Sequence, residues 1–233
     1  MQRKYRYLFF DLDRTLWDYD NNASEALNEI YQAYSLGIIF AEFSNFHLAF
    51  TKHNNDLWKE YREGKVHKDI LRTLRFERTL MDYNSINPKL AIELNNDFLE
   101  LSPRKLHLIP GAIQLLEYLR KMRYNLYIIT NGFTKIQLLK METSGLMGYF
   151  DKIFTSENTR SNKPQRAIFE HAVTSVNARK LQSIMIGDDL EADIIGARNF
   201  GIDQVYFNPE RISHNEIITY EISELKQLIK IFA

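Results

Sequence analysis

Five short apolar runs constrain what this chain can fold into: Tyr5 to Phe10, Leu126 to Thr130, Ile153 to Thr155, Ser183 to Ile186 and Gln204 to Phe207. Runs of this length fit buried strands. Beyond Pro110 each is followed by a segment of helical period, with Ile113, Leu116 and Leu119 on one stripe and Ile168, Phe169, Ala172 and Val173 on another. Strand and helix in alternation predict a parallel sheet with helices on its faces. Local punctuation agrees. Thr134 and Gln137 have capping-box spacing behind Asn131-Gly132, Gly145 stands where that helix ends, and Pro164 suits the first turn of the next.

Residues 22–102 have another character. Ala26 to Tyr34 and Ile70 to Leu80 keep a helical period and little in the stretch alternates as a strand, so an all-helical insert is expected there. The sheet domain then comprises residues 1–21 and 103–233, with Pro103, Pro110 and Gly111 marking the return crossing. A chain of 233 residues with 45% hydrophobic residues and no cysteine can build such a core, and has no disulfide, thiolate metal site or cysteine nucleophile. Thirty basic and thirty acidic side chains leave no net field toward nucleic acid or anionic lipid. The apolar run behind the basic Met1 to Tyr7 segment is far below a membrane span or leader, and the protein reads as cytoplasmic, with neither nucleic acid nor membrane as partner.

The chemistry is written at the strand ends. Asp11 and Asp13 follow the first run, and side chains two apart on an extended chain point the same way, with attachment points about 6–7 Å apart. They form either two solvated acids or a pair able to reach one small group. Thr130-Asn131-Gly132 places a hydroxyl and free backbone N–H groups ahead of a helix, where an anion could sit. Lys163 puts an ammonium at an expected helix start, against the local dipole, which an anionic partner would explain. Gly187-Asp188-Asp189 with Asp193 adds further carboxylates, the glycine permitting close backbone approach. If Asp11, Asp13, Asp188 and Asp189 or Asp193 converge, Lys163 alone cannot neutralise them. A hard divalent cation can, and few carboxylates with room for water and phosphoryl oxygen suit Mg²⁺ better than zinc.

These four segments, Asp11-Leu12-Asp13-Arg14-Thr15, Thr130-Asn131, Lys163-Pro164 and Gly187-Asp188-Asp189 to Asp193, resemble the four ordered motifs of the haloacid dehalogenase-like hydrolases, over nearly the whole chain. The resemblance implies an α/β, Rossmann-like core with the helical insert as a cap placed after the first strand. Within the family, Leu57 to Gly64 and Ile128 to Thr134, continuing to Ser144-Gly145-Leu146, are similar to the pyrimidine nucleotidase branch that cleaves nucleoside 5′-monophosphates. Carried over, Asp11 is the nucleophile, Asp13 the proton donor and then acceptor, and Thr130, the Asn131 backbone and Lys163 hold the phosphoryl oxygens. Mg²⁺ would bind the Asp11 carboxylate, the Asp13 carbonyl and Asp188, with Asp189 and Asp193 behind them. Asp13 argues against the dehalogenase reaction, whose enzymes lack it.

Three functions are thus open: a Mg²⁺-dependent phosphomonoesterase on nucleoside monophosphates or another small phosphorylated metabolite such as a sugar phosphate, a receiver-type phosphoacceptor, and a catalytically silent binding protein. A receiver would be about half this length and lack the insert; the complete motif set favours the phosphatase. Several features carry no assigned function. Arg14 either adds phosphate affinity or pairs with an acid, the second being favoured; Trp58 and Tyr61 are read as core rather than as the lining of a base pocket, Lys68, Arg72 and Arg75 as a solvated helix stripe rather than a contact to a distal phosphate, and none of the six histidines as a ligand. Oligomeric state is not legible.

Overall fold

A computed structural model describes residues 4–233. The chain divides into two compact units, one built from the N-terminal segment to Tyr19 together with Leu106–Ala233, the other from Asp20–Lys105.

The first unit is a six-stranded, all-parallel sheet in the order β3-β2-β1-β4-β5-β6. Its strands are β1 (Tyr7–Phe10), β2 (Asn125–Thr130), β3 (Lys152–Thr155), β4 (Ser183–Gly187), β5 (Asp203–Phe207) and β6 (Tyr220–Ile222). Alternate residues feed opposite faces, which is why the strands read as apolar runs rather than as an alternation. Leu8 and Phe10, Leu126 and Ile128, Ile184 and Ile186, and Val205 and Phe207 fill one core with Leu115, Leu116 and Leu119. Phe9, Ile129, Phe154 and Met185 fill the other, with Ile168, Phe169 and Ala172. The sixth strand was not expected; with three residues it is too short to show a period and is defined only by its pairing with β5.

Two details of helix punctuation differ from expectation. The helix Thr134–Thr143 begins at Thr134 itself, behind an extended Phe133, so Thr134 is not a cap, and Gln137 turns its side chain to other partners. The helix Arg166–Ser175 starts after Pro164, because a turn closed from Gln165 N–H to the Asn162 carbonyl (2.8 Å) first carries the chain around Lys163. Gly145, by contrast, ends its helix as expected: it sits at φ +74° while Leu146 N–H returns to the Met141 carbonyl.

The second unit is helical, with α1 (Tyr19–Ala33), α2 (Gly37–Phe40), α3 (Phe43–Arg62), α4 (Lys68–Met81) and α5 (Pro88–Leu101). Tyr31, Phe40, Phe46, Phe50, Phe76 and Phe98 are among its buried aromatics. The expected solvated stripe on α4 is corrected at Arg75. Its guanidinium is buried over the Phe98 ring (4.7 Å) and donates to Asn95 Oδ1 (2.9 Å), because its position on α4 turns it among the aromatics of α3 and α5. Trp58 and Tyr61 are half-buried and meet edge to face at 5.7 Å, so neither is deep core. Among the described residues no helix is long and apolar enough to cross a membrane.

Candidate active site

β1 lies between β2 and β4, so the carboxyl ends of these three strands bring together Asp11, Thr130 and the segment after Gly187. Reversal of strand order between β1 and β4 opens a crevice at such a point. Asp11 N–H donates to the Ile186 carbonyl (2.9 Å), which carries the β1–β4 ladder one residue past the strand and aims the Asp11 side chain at the segment after β4. Lys163, 2% exposed, completes the cluster: its Nζ donates to Asp11 Oδ1 and to the Ile129 carbonyl (2.8 Å), and lies 2.6 Å from Asp193 Oδ1. The anions that explain this lysine are therefore two carboxylates of the chain itself.

Asp11, Asp188 and Asp193 each offer an oxygen within 4.8 Å of the others. Burial, opposed by Lys163 and reinforced by Asp193 and Asp188, pushes the Asp11 carboxyl well up. Burial first and Asp193 second push Asp188 up to about 7, against the opposing pull of Arg14 and the Thr15 hydroxyl, which donates to Asp188 Oδ1 at 3.0 Å. Burial likewise raises Asp193, while the two acids beside it raise Lys163 despite its burial. One ammonium for three carboxylates leaves negative charge unbalanced, and the donors are all hard oxygens; both facts fit a divalent cation such as Mg²⁺.

Asp193 and Asp189 take different parts. Asp193 Oδ2 accepts from Asp189 N–H (3.1 Å), and a Cβ on Gly187 would stand 2.2 Å from that oxygen, so the glycine is what admits the buried carboxylate. Asp189 caps the turn that follows, accepting from Glu191 N–H (3.0 Å) and Ala192 N–H (2.9 Å), and does not belong to the three-carboxylate group.

Asp13 is held apart from that group. Gln137 Nε2 donates to its Oδ2 (2.9 Å) and Lys140 Nζ to its Oδ1 (2.5 Å), while Lys140 lies over the Trp17 ring at 4.3 Å. Neither Gln137 nor Lys140 was anticipated. The only sequence signal was their i, i+3 spacing on a helix behind Thr130, and Gln137 invited a capping interpretation instead. Arg14, in a left-handed conformation (φ 60°), stacks over Tyr19 at 4.7 Å.

The anion site expected behind β2 is largely filled by the protein. Gly132 N–H donates to Thr130 Oγ1 (3.1 Å), and Thr134 N–H donates to Glu157 Oε2 (2.7 Å), so these helix-start donors are already satisfied. The Asn131 side chain is also engaged: it donates to the Lys163 carbonyl (2.9 Å) and accepts from Lys163 N–H (2.7 Å), fixing the lysine loop to the end of β2.

Residues 8–207 match the family profile of the haloacid dehalogenase-like hydrolases. The chain belongs to that family. The pyrimidine 5′-nucleotidase PynA of Streptococcus pneumoniae is 31% identical, with 97% of this chain and 94% of PynA covered. The pyrimidine 5′-nucleotidase YjjG of Escherichia coli is 30% identical, covering 97% and 96%. The fold is also similar to a crystal structure of the putative HAD-hydrolase YfnB from Bacillus subtilis bound to magnesium, at TM-score 0.90 and 29% identity over 99% of each chain. L-2-haloacid dehalogenases of 15–17% identity share the fold.

Proposed function

We propose that this phosphoric monoester hydrolase is a Mg²⁺-dependent 5′-nucleotidase that prefers pyrimidine nucleoside monophosphates and works through a phosphoryl group carried on Asp11. The observation that carries the mechanism is the buried Asp11–Lys163 pair at the end of the central strand, with Asp13 and Thr130 joined beside it through Gln137. The pyrimidine preference is supported by full-length similarity to two pyrimidine 5′-nucleotidases.

In the first step the Asp11 carboxylate attacks phosphorus, the bond from phosphorus to the nucleoside 5′-oxygen breaks, and Asp13 gives its proton to that oxygen. In the second, water attacks the same phosphorus while Asp13 takes its proton, the bond to Asp11 breaks, and inorganic phosphate leaves. Asp13 is suited to both because it lies two residues from the nucleophile with its side chain a quarter exposed. Lys163 places fixed positive charge against Asp11, where negative charge gathers on the phosphoryl oxygens, and Thr130 offers them its hydroxyl. Asp11, Asp188 and the Asp13 carbonyl would hold Mg²⁺, which when bound supplies charge neutralisation to the transferred group.

A second substrate class has a specific observation behind it. A glyceraldehyde 3-phosphate phosphatase from Pyrococcus furiosus is 29% identical, with 98% of this chain and 93% of the relative covered. Steady-state kcat/KM on pyrimidine and purine nucleotides, sugar phosphates and triose phosphates, with Mg²⁺, separates the two. Equal efficiency on sugar phosphates would remove the nucleotide assignment and leave the phosphatase. Near wild-type turnover by folded Asp11→Asn would remove the covalent mechanism.

A further inference from the structure

We propose that Gln137 and Lys140 are a positioning pair for the transfer, one holding the proton carrier and the phosphate-binding hydroxyl in register, the other locking the carrier's carboxylate. This rests on Asp11 as nucleophile and Asp13 as proton carrier. Residues three apart lie on one helix face, and both side chains are buried where the helix Thr134–Thr143 faces the carboxyl ends of β1 and β2.

The hydrogen-bond inventory fixes the roles. A hydroxyl has two lone pairs and one proton. Thr130 Oγ1 accepts from Gly132 N–H (3.1 Å) and from Gln137 Nε2 (2.7 Å), so both lone pairs are filled and its proton is left to be donated. The hydroxyl is thus set as a donor toward an anion. The Gln137 amide has its own orientation fixed. Its two hydrogens go to Thr130 Oγ1 and Asp13 Oδ2, and its Oε1 is buried without a partner; the reverse orientation would set that oxygen against a carboxylate. Gly132 is what leaves room for this side chain, since a Cβ there would stand 2.3 Å from Gln137 Nε2.

Lys140 holds the other oxygen. It is 5% exposed, donates to Asp13, and lies over the rings of Trp17 (4.3 Å) and Tyr19 (5.6 Å). Replacing a whole buried pair of this kind by apolar side chains is often neutral, so net stability does not account for it. Its consequence is geometric. With each Asp13 oxygen accepting a hydrogen bond, the carboxylate is held in one orientation, and its side chain, a quarter exposed, stays open to proton exchange.

The test separates chemistry from folding. Lys140→Met should melt within a few degrees of the wild type, since methionine keeps the packing volume and the Asp13 carboxylate left behind, a quarter exposed, can be solvated by water. With 4-nitrophenyl phosphate, whose leaving group departs without a proton, the first step survives and the second, which needs Asp13, slows. A rapid burst of about one nitrophenolate per active site should therefore precede a steady rate reduced about 10²-fold, with KM little changed. With an alkyl phosphate both steps need the proton and no burst should appear. Lys140→Ala should recover turnover with added n-propylammonium and not with n-propanol. Gly132→Ala, which displaces Gln137 and leaves Lys140 intact, should lower kcat at least tenfold. Wild-type kcat in both Lys140→Met and Gly132→Ala, alongside an inactive Asp11→Asn, overturns the positioning pair while the mechanism stands; an active Asp11→Asn overturns the mechanism first. A rate loss in Lys140→Ala that propylammonium and propanol repair equally assigns Lys140 to packing and also overturns it.

Discussion

Removing the Lys163 ammonium while keeping its length, as Lys163→Met, should destabilise the protein in a strongly pH-dependent way. In the folded chain Nζ serves Asp11, Asp193 and the Ile129 carbonyl, and all are buried. Breaking a buried ion pair by deleting one partner costs about 3–5 kcal/mol, because the other charge stays buried. The freed carbonyl costs about 1–3 kcal/mol on its own account and does not titrate. The carboxylates do. Their folded pKa values are already raised by burial, and without the ammonium they rise further, whereas the unfolded values stay near 4. For an acid raised in the folded state, the stability linked to its proton is complete below the unfolded pKa and is lost as pH rises through the folded one. At about pH 8 the full penalty of both losses, roughly 4–8 kcal/mol, should appear. At about pH 5.5 the acids can take up protons, and the deficit should fall by about half. In a chain of this length 1 kcal/mol moves Tm by roughly 2–4 °C, so the difference is readable by thermal melts of metal-free wild type and variant at the two pH values. A deficit that is equal at both, or larger at acid pH, would refute the electrostatic account of the cluster.

The same linkage applies to the wild type. Asp188, pushed up to about 7 by burial and by Asp193, makes the metal-free protein lose stability as pH rises from about 4 through 7. Mg²⁺ should therefore raise Tm most above pH 7, and a Mg²⁺ effect that is flat with pH or strongest in acid would count against a cation at these carboxylates. Gly187→Ala should cost about 1–3 kcal/mol by overpacking, since its Cβ would meet Asp193 Oδ2 at 2.2 Å, and should lower kcat by shifting the acid that faces Lys163. Gly148→Ala is the matched control, with open space around its Cβ; similar melts and rates for the two variants would show that Asp193 accommodates the methyl without consequence.

Much of the core could be read from local pattern. A strand buried on both faces must be apolar throughout, and the five runs found that way are β1 to β5; β6, three residues long, carries no such signal. Asp11, Thr130, Lys163 and Asp188 stood out because each is a polar group set directly behind an apolar run or at an awkward helix position. What local pattern assigned wrongly was direction. Gln137 has the spacing of a cap but turns to Asp13 and Thr130, and Arg75 has the spacing of an exposed stripe but enters an aromatic core. In both, the residue type is compatible with two environments, and only the neighbouring elements choose between them.

The chain order of apolar runs, glycines and acids by itself determined a parallel sheet, its helical insertion and which strand ends carry charge, because those depend on the length of an apolar run, a 3.6-residue period and the residue that follows, all within single segments. The tertiary structure alone decided that Lys163 answers Asp11 and Asp193, that Asp189 caps a turn, and that Asp13 is bound from a helix more than a hundred residues away. Such pairings are set by strand order and by which buried charges can be balanced at the end of β1, and no segment of the chain encodes them on its own.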